Sequence, residues 1–206
     1  GRKASCDVPW NGGAQFSPDD ERGWPVVSCS AVPYANSWQV PEELDDEGME
    51  RVKQAFMQGA ERCVRIGFDV IEIHMAHGYL LSQFLSPLSN LRTDEYGGSR
   101  ENRMRFPLEI FDSVRTIWPD ELPLGVRISA VEWVEDGWNI EDSVAFANEL
   151  KMRGCDFIDV SSGGNTPRQE IDAGPGYQTS FAAQVRRESG VSTMAVGQIT
   201  QARQAE

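Results

Sequence analysis

The sequence predicts an α/β fold, part of a closed (β/α)8 or TIM barrel, and three observations predict it. Helix-like and strand-like segments alternate along the chain, which argues a parallel sheet with crossover helices. One template occurs twice, as Gly67-Phe68-Asp69-Val70-Ile71-Glu72-Ile73-His74 and as Gly154-Cys155-Asp156-Phe157-Ile158-Asp159-Val160-Ser161. Each predicted strand also carries polar residues at its C-terminal end, the rim on which a barrel assembles its active site from several strands.

Taken in order, the elements begin after a long Pro/Gly/Trp-rich segment that reaches about Pro41. Val52, Phe56, Ala60 and Cys63 recur at helical spacing, and Gly67 is placed to end that helix in the left-handed conformation. The strand that follows ends at His74. Ser99 caps the next helix, marked by Phe106, Ile110, Val114 and Ile117 and ended by Pro119; Leu122 to Ser129 then reads as a strand. Asn139 is the N-cap of a third helix carrying Val144, Ala147 and Leu150, with Gly154 as its stop. Phe181 and Val185 mark a short helix ended by Gly190, and Val191 to Gly197 makes the fourth strand. The alternative, an open doubly wound nucleotide fold, would offer a G-x-G-x-x-G turn after its first strand, and the sequence has none. A whole barrel has eight strands and about 250 residues. Residues 1–206 therefore read as a single barrel domain cut at both ends.

Composition narrows the function. With 40% hydrophobic and 25% charged residues the chain is an ordinary globular one, and it holds no apolar run of membrane-spanning length. The net charge of −13, without a basic cluster, argues against nucleic acid and against anionic membrane surfaces. A single phosphorylated cofactor stays compatible, because backbone N–H groups and one or two arginines hold a phosphate locally. Cys6, Cys29, Cys63 and Cys155 are widely spaced and read as reduced thiols of a cytoplasmic protein, not as disulfides or cluster ligands.

His74-Met75-Ala76-His77-Gly78-Tyr79 holds the only two histidines of the sequence, at a strand end. Alternation along the strand turns Glu72 and His74 into the barrel and Ile71 and Ile73 toward the helices. Two imidazoles and a phenol together can polarise a carbonyl oxygen and deliver a proton beside it. The same pair is also readable as satisfied buried histidines, or as two ligands of a metal that would want a carboxylate or a third histidine on a neighbouring rim. Arg127, inward in Leu124-Gly125-Val126-Arg127-Ile128-Ser129, requires an anion or a strong acceptor. The N1/O2 edge of a reduced flavin is one such partner, and an internal ion pair with Glu72 is the other reading. The polar stretch Leu85–Ser99 reads as a long rim loop pinned by charge pairs.

Three motifs in succession, H-x-x-H-G-Y-L, S-N-x-R-x-D-x-Y-G-G-S-x-E-N-R-x-R-F and V-R-I-S, make the sequence resemble the Old Yellow Enzyme family. The histidine pair and the opening Gly1-Arg2-Lys3 resemble its YqjM-like or xenobiotic-reductase-like bacterial branch. The resemblance implies roughly the third to seventh βα units of an FMN-binding barrel. It implies an ene-reductase in which NADPH (or NADH) reduces FMN, and the flavin reduces the activated C=C bond of an α,β-unsaturated carbonyl or a similar electron-poor small molecule. By position it makes His74 and His77 hydrogen-bond donors to the substrate carbonyl, and Tyr79 the proton donor to the α-carbon. Arg127 would face the flavin N1/O2 edge, Val196 and Gly197 would meet the FMN phosphate, and Lys3 would lie near the site. A flavin-contacting glutamine would precede Gly1 and a phosphate arginine would follow Glu206. Family members often associate, so a homo-oligomer is compatible, although no segment marks an interface. The alternatives carried forward are a metal-dependent barrel hydrolase with His74 and His77 as ligands, and a fragment inactive by itself.

Overall fold

The computed structural model describes residues 1–206, the side chain of Pro9 excepted. After a short 3-10 turn at Pro9–Asn11, the elements are β1 (Val27–Ser28), β2 (Glu42–Glu43), α1 (Asp46–Ile66), β3 (Ile71–Met75), α2 (Leu80–Leu85), α3 (Arg100–Arg115), β4 (Leu124–Ser129), α4 (Ile140–Met152), β5 (Phe157–Ser161), α5 (Thr179–Ser189), β6 (Ser192–Ala195) and α6 (Ala202–Ala205). Strands β3, β4, β5 and β6 lie side by side in sequence order, all parallel. Each crossover is helical, and α1, α3, α4 and α5 form a continuous layer over one face.

The helix boundaries are set by local chemistry. Asp45 accepts a hydrogen bond from Gly48 N at 2.7 Å, opening α1, and Gly67 at φ +77° closes it by donating to the carbonyls of Cys63 and Val64. Ser99 caps α3. Asn139 and Asp142 form a reciprocal capping box on α4, and Gly190 ends α5 at φ +70°. The helix layer buries one face of the sheet. Leu124, Val126, Ile128, Ile158 and Val160 are at most 1% exposed, and Phe111, Phe146, Leu150 and Val185 close over them. This face is the hydrophobic core, and the opposite face of the sheet carries the charged and polar side chains Glu72, His74, Arg127 and Asp159 together with Phe157 and Met194.

Three elements were not foreseen. The Pro/Gly/Trp-rich segment contributes the parallel pair β1–β2, two residues each, whose lengths are too short to show a period. The stretch just before the predicted rim loop, to which no element was assigned, is helical as α2, because Leu81, Phe84 and Leu85 have a core to bury in. The fourth strand closes at Ala195, so Val196 and Gly197 lie just beyond it. Among the described residues no helix is long and apolar enough to cross a membrane, and all four cysteines are free.

Register sorts the inward side chains into layers. Glu72, Gly125, Phe157 and Ser192 stand level across the four strands, and His74, Arg127, Asp159 and Met194 form the next level. Such layering of alternate residues is the way a barrel interior is filled. In the lower layer the Phe157 ring lies where a Cβ on Gly125 would stand. Gly125→Ala is therefore expected to destabilise the fold by about 1–3 kcal/mol through overpacking. Chemical denaturation reads this, and the cost should shrink when Phe157→Leu is added.

Candidate active site

The rim is built around the turn that follows β3. Met75 and Ala76 are fully buried, and then His77 (φ +58°) and Gly78 (φ +69°) both take left-handed backbone before Tyr79 opens α2. Histidine is one of the few side chains enriched in that region, yet it still needs holding there. The hold is visible. His77 N donates to Ser129 Oγ at 2.8 Å, and Ser129 Oγ donates to the carbonyl of Gly163 at 2.8 Å. Lys3 Nζ donates to the carbonyls of both His77 (2.8 Å) and Gly164 (2.7 Å). A Cβ on Gly78 would collide with the backbone of Gly164 and Asn165, so the loops after β3 and β5 touch main chain to main chain.

Beneath the rim a buried polar network carries the loops. Arg2, 3% exposed, donates to Asn165 O at 2.6 Å and to its Oδ1 at 3.0 Å. Asn165 Nδ2 donates to Glu132 Oε1 at 2.7 Å, and Glu132 Oε2 accepts from Ser86 Oγ and from Trp138 N. Gln83 links this region to the N-terminal segment, donating to Gly78 O and accepting from Ser28 Oγ at 2.8 Å.

The three residues of the His74–Tyr79 turn that were singled out come together. The His74 ring centroid is 5.1 Å from that of His77 and 5.3 Å from that of Tyr79, and Lys3 Nζ lies 5.0 Å from the Tyr79 ring. Tyr79 is half exposed, so its phenol borders the open side of the site. Burial, then His74, Arg127 and Lys3, push His77 down to about 4. Burial and Arg127 also lower His74, against the opposing pull of Asp159. Two neutral imidazoles at pH 7 are hydrogen-bonding groups, not acids.

Arg127 has a countercharge other than the one expected. Its Nε lies 3.2 Å from Asp159 Oδ2, whereas Glu72 stands one layer lower, level with Gly125. The two sequence templates align Asp159 with Glu72. Successive strands are staggered, however, and the ladder lifts Asp159 two residues, level with Arg127 and His74. Asp159 was thus quoted but not assigned; Ser129 and Ser161 were read only as polar strand tips on the rim, without a role of their own, and Gln178 was missed.

Three buried polar atoms find no hydrogen-bond partner among the described residues in this layer: His74 Nδ1, Arg127 Nε and Asp159 Oδ1. Orphans of this kind mark where a ligand's polar atoms belong. Past β6, Val196 is half-buried and Gly197 adopts φ +114°, its carbonyl accepting from Gly176 N at 2.8 Å. A Cβ there would sit 3.1 Å from the Tyr177 ring and from Gln178 Nε2, a cradle only glycine leaves open.

His74 and Arg127 on the polar face of the parallel sheet, with His77 on the turn just above them, gather at the C-terminal rim where a barrel assembles a site. The chain belongs to the NADH:flavin oxidoreductase / NADH oxidase family, whose sequence model matches residues 9–206. It is 50% identical over 181 residues to an NADPH dehydrogenase of Geobacillus thermodenitrificans, covering 88% of this chain and 52% of that protein. It is 48% identical to an NADPH dehydrogenase of Bacillus subtilis, with coverage of 88% and 53%. Among solved structures, morphinone reductase superposes with a TM-score of 0.72 at 28% identity, over 88% of this chain and 52% of that one. A 2-naphthoyl-CoA reductase gives 0.81 at 25%, over 89% and 29%. The chain spans about half the length of the curated relatives it matches, and its fold is a partial barrel.

The His77 environment has a measurable consequence. An unfolded chain takes up the imidazole proton near pH 6.5 and the folded one only near 4, so His77 withdraws stability as pH falls through that window and none above it. In an NMR titration with labelled histidine, His77 is expected to stay neutral from pH 8 to roughly 5. A midpoint near 6.5 would show a solvated ring.

Proposed function

We propose that residues 1–206 are part of a single FMN-binding barrel domain, and that the whole protein is a flavin-dependent NAD(P)H oxidoreductase reducing the activated C=C bond of α,β-unsaturated carbonyl-type compounds. The observation that carries this reading is the layer in which neutral His74 and His77 adjoin Arg127 with polar atoms left unpaired. Family membership supports it, and so does the likeness to proteins named NADPH dehydrogenase. The same membership leaves the metal-hydrolase alternative without support.

The residues fit FMN. Arg127 supplies a cation for the electron-rich edge of the ring, and the backbone at Val196 and Gly197 accepts the close approach of a phosphate. FMN, once reduced by NADPH or NADH, supplies hydride to an electron-poor alkene. The chain's own residues do the rest. His74 and His77 hydrogen-bond the carbonyl oxygen of the substrate and draw charge from the alkene. Tyr79, beside the His74 ring and half exposed, would protonate the carbon next to the carbonyl. Lys3 holds the carbonyls of the turn that carries His77. The free cysteines suit a cytoplasmic enzyme, and its partners are small molecules.

An absorption spectrum of the full-length protein, before and after adding a simple phenol, tests the reading. A flavin spectrum with a new long-wavelength band on phenol addition is expected, and His74→Ala should abolish the band. A protein that takes up no flavin from excess FMN would overturn the assignment. Arg127→Met removes a charged hydrogen-bond donor worth about 1.5–3 kcal/mol, so FMN should bind roughly tenfold or more weakly in an equilibrium titration. If nicotinamide and alkene use the same flavin face in turn, steady-state double-reciprocal lines are parallel.

A further inference from the structure

β5 ends at Ser161 and Ser162 follows it, and both hydroxyls meet one oxygen, Oε1 of Gln178 at the start of α5; the Ser161 contact is 3.4 Å. On the other side, His77 Nε2 lies 2.8 Å from Ser161 Oγ, and Trp133 Nε1 lies 2.8 Å from Ser162 Oγ. Ser161, Ser162 and Gln178 are buried. A chain of hydrogen bonds thus runs from Trp133 to a histidine of the site across residues far apart in sequence.

The direction of every proton in this chain follows from what each group can give. Indole N–H only donates, so Ser162 accepts from Trp133 and its own proton goes to Gln178 Oε1. A carbonyl oxygen has a second lone pair, which takes the Ser161 proton. With its proton on Gln178, Ser161 has only lone pairs to offer to the ring 2.8 Å away, the arrangement in which His77 donates to it from a protonated Nε2. Turning the amide over would aim N–H groups at both hydroxyls and leave the Ser162 proton with no acceptor in a buried site, which is costly.

We infer that Ser161, backed by Gln178, is a positioning residue that fixes His77 as the Nε2–H tautomer, so that a neutral imidazole offers one hydrogen to an acceptor oxygen of the ligand. The inference rests on the proposed function only in giving His77 a ligand to meet. It also narrows the substrate. An incoming oxygen must take the Nε2 hydrogen away from a serine hydroxyl, so it has to be a better acceptor than an alcohol. A conjugated carbonyl, a nitro group or a phenolate meets that condition, and the corresponding allylic alcohol does not. Burial keeps His77 uncharged at neutral pH, so the tautomer is the state that a ligand encounters.

The test is nitrogen-15 NMR of histidine-labelled, flavin-loaded full-length protein near pH 7, with the His77 signals assigned from His77→Gln. His77 should show a single tautomer, its Nε2 protonated and its Nδ1 bare. Ser161→Ala and Gln178→Leu should each move both ring nitrogens toward the average of two exchanging tautomers, while Gln178→Glu, which keeps the acceptor, should retain the single state. Nδ1 protonation in the wild type would overturn the inference, as would unchanged signals in both Ser161→Ala and Gln178→Leu. If one of those two variants does not fold, the other decides. The phenol band, recorded on the same samples, separates the two readings. A fixed tautomer with no band removes the ene-reductase assignment alone, and a band with an averaged wild-type tautomer removes the positioning role alone.

Discussion

A cation on the inward face of a parallel sheet needs a countercharge in its own layer, and the arrangement of this chain follows from meeting that need at Arg127. Its neighbours in register are His74 and Asp159, and the carboxylate comes within 3.2 Å. Left unpaired there, a partly buried arginine would lose solvation without compensation. The pairing is incomplete: Arg127 Nε faces Asp159 Oδ2 as an ion pair without hydrogen-bond geometry, and Asp159 Oδ1 has no partner. The sheet thereby holds a charge stable enough to fold around and free enough to meet a ligand. His74 feels both partners, and its proton affinity records the balance.

The rim above that layer is rigid for a different reason. Two left-handed residues in succession, one of them histidine, are unfavourable for an isolated chain. Here Lys3, Ser129 and the contact of Gly78 with Gly164 hold the turn from three sides. The strain is local and the restraint comes from residues distant in sequence, the usual circumstance at a site whose geometry is set before a ligand arrives.

What was legible in the sequence and what was not divide along this line. Helix spacing, the caps at Ser99 and Asn139, and the stops at Gly67 and Gly190 are local chemistry, and they are found where periodicity and capping rules put them. The grouping of His74, His77 and Tyr79 was readable because all three sit in one turn. The countercharge of Arg127 was not legible: Glu72 was the internal partner offered beside a flavin edge, and only the register of the strands shows Asp159 level with Arg127 instead. α2 and the β1–β2 pair are too short for a period to show. Ser161 was legible only as a polar strand tip, and Gln178 not at all, since their pairing depends on loops that only the fold brings together.

The buried network under the rim has one further consequence. Arg2 is fastened to Asn165, Asn165 to Glu132, and Ser28 to Gln83, so the segment before α1 shares its hydrogen bonds with loops that follow β3, β4 and β5. Such a segment cannot fray by itself without exposing unpaired buried groups elsewhere. Opening the N-terminal stretch and loosening the rim are then one cooperative event. Any molecule bound at the rim slows amide exchange near Arg2 by mass action, without touching it.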